Sequence, residues 1–202
     1  MTSTFSLVII SHQTKDLLIS ALFAAGVSID APVGMPLVEL LCDRLGVSCD
    51  YLDHQVQTIF VNGRTVDRPE EVKITKDTTV ALSAAMPGLM GATLRKGGLL
   101  AVFRKDISQL DMQAPDDSHR HTMVTLKLFN LVAKDIGPML LQQGVWLRGD
   151  ALGEHFGQID RSRIAALEEV VWNGRPIPAD QLYDIDWPKD WVRLVVLPAK
   201  NH

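Results

Sequence analysis

Gly88, Gly91, Arg95, Lys96, Gly97 and Gly98 come closest, by type and spacing, to a ligand-binding loop in this chain. Within the run 87–98 the glycines let backbone approach a ligand, and successive N–H groups beside a guanidinium and an ammonium could hold a small anion. The run is not a Walker motif, because Gly-Lys-Ser/Thr is absent. It also fits a connector in which Leu89, Met90 and Leu94 pack as core. Asp116-Asp117-Ser118-His119-Arg120-His121 brings imidazoles and carboxylates within reach of one divalent cation, yet no neighbouring group is visible to orient the rings. His54 and His155 stand singly, Ser11-His12 lacks an acid partner, and Glu168-Glu169 reads as an exposed helix face. No nucleophile, base and orienting group can be named together. The sequence therefore predicts no catalytic residue, no metal site and no cofactor, and leans away from an enzyme.

Composition narrows the classes further. A chain of 202 residues with 47% hydrophobic and 22% charged residues can fill one large or two small cores. Its net charge is −4, and neither half has the basic excess that phosphate-backbone binding uses, so no nucleic-acid partner is expected. Met1–Ser11 has no basic region before its apolar residues and does not read as a secretory signal. The longest tempting uncharged stretch, 78–94, is shorter than the ~20 residues a spanning helix needs and contains Pro87-Gly88, so no membrane association is expected. Cys42 and Cys49 make no disulfide framework and read as reduced, buried thiols, which implies a cytoplasmic protein.

The elements that would position these residues repeat along the chain. Val61-Asn62-Gly63-Arg64-Thr65-Val66 recurs as Trp172-Asn173-Gly174-Arg175-Pro176-Ile177. Each Asn-Gly pair predicts a tight hairpin, because both turn residues must accept positive φ. Each is followed by an Asp and a final apolar strand, Thr79–Leu82 and Trp191–Leu197. Upstream, Gly26-Val27-Ser28-Ile29 is echoed by Gly144-Val145-Trp146-Leu147. Phe5–Ile10 is a β-branched first strand, and Thr122–Phe129 alternates with the period of a sheet strand. Leu17, Leu18, Ala21, Leu22 and Ala25 have helical spacing, as do Leu37, Leu41 and Leu45 before Gly46. Ile136–Leu141 makes a short excursion, and 151–156 and 164–169 are helical pieces. Trp172, Trp187 and Trp191, with Tyr183 between, cluster in the second half and read as core and hairpin packing or as an aromatic protein-binding surface.

A helix clasped by a small mixed sheet in this order is a β-grasp, or ubiquitin-like, arrangement. The predicted fold is α+β, with two β-grasp units in tandem, each a small mixed sheet with one or two short helices. The first spans 1–107 with a Gly-rich segment at 84–98, 108–121 is a linker, and 122–202 is a second, shorter unit.

Over roughly residues 4–88 the first half resembles the sulfur carriers of this fold, the molybdopterin-synthase small subunit and the thiamine-biosynthesis carrier. The resemblance rests on the strand-and-excursion start, a second strand ending near Pro32, a short helix, and Val61-Asn62-Gly63-Arg64 before Asp77-Thr78-Thr79-Val80-Ala81-Leu82. It implies a free C-terminal diglycine whose carboxylate becomes a thiocarboxylate. Here Met86-Pro87-Gly88 stands in the tail position, the only diglycine is Gly97-Gly98, and the chain ends Pro198-Ala199-Lys200-Asn201-His202. A carrier would require cleavage after Gly88 or Gly98. The hairpin through Arg68-Pro69 also resembles the end of the small RNA-binding domain of pseudouridine synthases. That family carries a basic Ser-Arg face where this chain has Asp43-Arg44-Leu45-Gly46-Val47-Ser48. The leading expectation is a non-enzymatic binding protein whose partner is another protein or its own copy, followed by a sulfur carrier and by a small-anion binder at the Gly-rich run.

Overall fold

The computed structural model of this chain describes residues 5–11, 19–84 and 120–199. The described residues form an α+β structure with mixed β-sheet. Two compact units emerge, 23–136 and the discontinuous 1–22 with 137–202. This division departs from the expected boundaries at 107 and 122. The physical reason is strand pairing, since the first strand of each predicted unit, Phe5–Ile10 and His121–Phe129, pairs with strands of the other.

Unit 23–136 holds β2 (Val27–Pro32), β3 (Thr58–Val61), β4 (Arg64–Thr65), β5 (Thr79–Ser83) and β6 (His121–Phe129), in the order β4-β3-β5-β6-β2. β5 and β6 run parallel, with Thr79 opposite Thr125, and the other neighbours are antiparallel. β6 alternates as its sequence predicts, with Val124, Leu126 and Leu128 buried. Leu37, Leu41 and Leu45 are buried as their spacing requires. The turn carrying them widens into a π-helix over Glu39–Arg44, with the Leu45 amide donating to the Leu40 carbonyl. A short helix, α2 (Cys49–His54), follows behind its N-cap Ser48.

The reduced-thiol expectation is overturned here. Cys42 and Cys49 are joined as a disulfide, with Cα atoms 5.6 Å apart and a sequence separation of 7. Their spacing across the Gly46 turn brings the end of one helix beside the start of the next. A cytoplasmic address inferred from reduced thiols therefore loses that support. Among the described residues, no helix is long and apolar enough to cross a membrane.

The other unit holds β1 (Phe5–Ile10), β7 (Val145–Arg148), β8 (Glu169–Trp172), β9 (Arg175–Ile177) and β10 (Trp191–Leu197), in the order β7-β10-β1-β8-β9. β1 and β10 run parallel, with Phe5 opposite Val192 and Ile10 opposite Leu197. The remaining neighbours are antiparallel. Leu7 and Ile9 are fully buried in this sheet, each contributing about 1.5–3 kcal/mol of apolar burial. Helices α4 (Gly149–Gly157) and α5 (Arg161–Ala165) follow β7. The boundaries between the units fall inside α1 (Ile19–Ala25) and α3 (Leu131–Gln143).

The sequence echo at Gly26 and Gly144 has a geometric meaning. Both glycines hold positive φ, 113° and 95°, immediately before β2 and β7. A Cβ at Gly26 would meet Thr125 of β6 at 2.9 Å, and one at Gly144 would meet Arg193 of β10 at 2.8 Å. Backbone lies close under a neighbouring side chain in both places, so only glycine fits. Thr125 and Arg193 thus occupy corresponding positions.

Candidate functional site

The ligand-binding expectation at Gly88, Gly91, Arg95, Lys96, Gly97 and Gly98 lies outside the described residues. So do Asp116, Asp117, Ser118 and His119 of the metal-ligating candidate. His121 is described, and its Nδ1 meets the Asp30 carboxylate at 2.6 Å. Arg44 bonds the same Asp30 oxygen at 3.3 Å, so this carboxylate already serves two cationic or polar partners. Among the described residues no group of three metal-binding side chains forms. His54 turns back on its own helix, with Nδ1 2.9 Å from the Asp50 carbonyl. Glu168 is exposed, and its backbone amide donates to the Ile10 carbonyl.

His155 is the sequence candidate that the fold brings into a site. α4 buries Leu152 and Phe156 on its inner face and places Gly153 under the Trp187 indole. Trp187 stacks on Phe156 with ring centroids 5.7 Å apart, and meets the edge of Trp172 at 5.2 Å. Trp172 in turn stacks on Phe5 at 6.0 Å. These contacts fix α4 by aromatic packing, the role the sequence assigns to Trp172 and Trp187. Trp191 lies under the Arg148 guanidinium, 5.4 Å from it, and Tyr183 donates its hydroxyl to the Ile159 carbonyl at 2.9 Å.

With α4 held this way, His155 lines a cavity of about 450 Å³ together with Ala21, Gln158, Ile159, Asp160 and Arg163. The Nε2 atom of His155 is buried without a hydrogen-bond partner. Burial pushes its imidazole below its ordinary pKa, so the neutral ring is favoured. An unpartnered buried ring nitrogen costs about 1–3 kcal/mol. Asp160 is engaged differently. Its carboxylate accepts from the Ser162 hydroxyl and amide, capping α5 and holding its pKa below the usual carboxylate range. Ser162 is thereby committed to Asp160 and is not paired with a base. Arg163 remains the cationic group lining the cavity, so the arrangement can hold a small anion between a guanidinium and a histidine.

A second cavity, about 470 Å³, lies in unit 23–136 and is lined by Val38, Cys49, Leu52, Asp53, Asp67, Pro69 and Glu70. Beyond α2's Leu52, the same helix offers Tyr51, whose hydroxyl donates to Asp135 at 2.7 Å. Burial, then the bond to Asp135 and its charge, raise the Tyr51 pKa above the ordinary phenol value.

Sequence reasoning missed Arg163 and the Cys42–Cys49 pair. The cysteines did carry a signal, since they flank a turn ending at Gly46. Arg163 carried none, because it reads as one more exposed helical charge. Comparison with protein-family models, curated proteins and solved structures finds no match.

Proposed function

We propose that this chain is a non-enzymatic binding protein built from two β-grasp units, and that it holds a small anion, a carboxylate or a phosphate, beside His155 and Arg163. The β-grasp reading is supported by the five mixed strands of each unit, which include a parallel pair and an Asn-Gly hairpin at the end of the strand order. The observation that carries the binding reading is the cavity, which His155, its Nε2 buried and without a hydrogen-bond partner, lines together with Arg163. An anion in that space would pair with the guanidinium beside the histidine ring.

Titration of the full-length protein with inorganic phosphate and with succinate, followed by calorimetry, tests this. Saturable binding of either anion is expected, weakened about tenfold or more by Arg163→Ala, as loss of a hydrogen bond to a charged group implies. Arg175→Ala on β9, outside the cavity lining, is the control and keeps affinity. Absence of heat with both anions contradicts the reading.

A second reading, recognition of another protein or a second copy, is favoured by Phe129 and Leu131. They are 37% and 59% exposed, the large apolar side chains most open to solvent among the described residues. Leu131→Ser then disperses any oligomer seen in sedimentation, whereas an unchanged sedimentation profile removes this surface from consideration.

A further inference from the structure

We propose that the Cys42–Cys49 disulfide is a thiol–disulfide exchange site for small thiols without net negative charge, rather than a fixed cross-link. The bond joins the π-helix Glu39–Arg44 to α2 across a sequence separation of only 7. Cys49 is exposed and lines the 470 Å³ cavity of its unit, while Cys42 is half-buried. An attacking thiolate can therefore reach a sulfur of the pair without unfolding the chain. The segment does not depend on the bond for its packing, because Leu41, Leu45, Leu52 and Val56 are buried by their own contacts.

The charge around the pair selects the thiol. Asp53, Asp67 and Glu70 line the same cavity, and exposed Asp43 and Asp50 stand next in sequence to the two cysteines. Nearby cations are already engaged, with Arg68 on Glu71 at 2.7 Å and Arg44 on Asp30 at 3.3 Å. A cationic or neutral thiol approaches this field more readily than an anionic one. In the first step the thiolate sulfur bonds to Cys49 Sγ, the bond to Cys42 Sγ breaks, and Cys42 departs as a thiolate that takes a proton from water. A second thiolate attacks the outer sulfur of the mixed disulfide and releases the Cys49 thiolate. Two small thiols are oxidised to one small disulfide, and the protein disulfide is reduced to two thiols.

The test exposes the full-length native protein to cysteamine or to 3-mercaptopropionate at equal thiolate concentration, with quenching by alkylation and intact-mass readout. Reduction is expected in native buffer at millimolar thiol, at a rate insensitive to low urea. Each rate is divided by that thiol's rate on an uncharged small disulfide, which removes their difference in intrinsic nucleophilicity. Cysteamine is then expected to be favoured about fivefold at low ionic strength, the normalised ratio falling toward one at high salt as the field is screened. The double variant Cys42→Ser/Cys49→Ser is expected to unfold cooperatively like the parent. A rate that climbs steeply with urea, equal normalised rates for the two thiols at low salt, or a double variant that fails to fold would each overturn the proposal.

Discussion

Asn173 and Ser6, separated by 167 positions in the chain, hold each other through two hydrogen bonds. The Ser6 amide donates to the Asn173 side-chain oxygen at 2.9 Å, and the Asn173 amide donates to the Ser6 carbonyl at 2.9 Å. Asn62 and Thr79 repeat the arrangement in unit 23–136, at 2.8 Å and 2.8 Å. The Asn-Gly turn is thus more than a reversal of direction, because its asparagine clamps the neighbouring strand. In one unit that strand is β5, which follows the hairpin in sequence. In the other it is β1, from the far end of the chain, and β10 takes the place that β6 holds beside β2.

Substituting either asparagine tests the clamp. Asn62 and Asn173 sit at φ of 51° and 50°, where an alanine is strained by about 1–2 kcal/mol. The lost bond adds about 1 kcal/mol. Asn173→Ala and Asn62→Ala are expected to lower stability by similar amounts in urea unfolding, whereas Asn173→Gly, which tolerates the turn, loses only the bond.

Two glycines of α4 should respond with opposite sign. An added Cβ at Gly153 would lie 2.5 Å from the Trp187 ring, while one at Gly157 would meet nothing within 4 Å. Gly153→Ala is expected to cost about 1–3 kcal/mol through overpacking and to shift tryptophan fluorescence. Gly157→Ala is expected to be neutral or stabilising by up to about 1 kcal/mol, since alanine favours the helix.

Alkaline stability depends on Tyr51. Its folded pKa is raised, so the folded state keeps the phenol proton that the unfolded chain releases near pH of about 10. Stability is therefore full below that value and falls as pH rises through the unfolded and then the folded pKa. Denaturant titrations between neutral pH and pH of about 11 should show this loss in the parent and a reduced loss in Tyr51→Phe.

A binding protein needs no new C-terminus. Intact-mass measurement of the protein from its native cells is expected to find no species ending at Gly88 or Gly98. A species ending at Gly88 or Gly98 would favour carrier chemistry instead.

The elements were legible in the sequence where local pattern decides them. The turns at Asn62-Gly63 and Asn173-Gly174, the alternation of Thr122–Phe129 and the helical face of Leu37, Leu41 and Leu45 all appear in the structure. Strand partnership was not legible. Phe5–Ile10 and Thr122–Phe129 are both regular strands whose pattern suits either sheet, and only long-range pairing decides between them. Ile136–Leu141 is part of a longer helix, Leu131–Gln143, which runs through Pro138. Gly137-Pro138 reads locally as a breaker, but Val132, Ala133, Leu140 and Leu141 are buried and hold the helix. The site at His155 was half legible, since the residue could be named but its burial and its cavity partner Arg163 arise only from the packing of α4 and α5.

The binding account is tested most directly by the His155 imidazole itself, followed by NMR titration with and without inorganic phosphate. Without ligand its pKa is expected below about 6.5, because burial disfavours the charged ring, and folding stability should fall as pH drops through that folded value. Phosphate is expected to raise the pKa and shift the ring resonances, since an anion beside the ring favours the imidazolium, and Arg163→Ala should move both changes to about tenfold or more higher phosphate. An imidazole that titrates identically with and without phosphate would contradict the account.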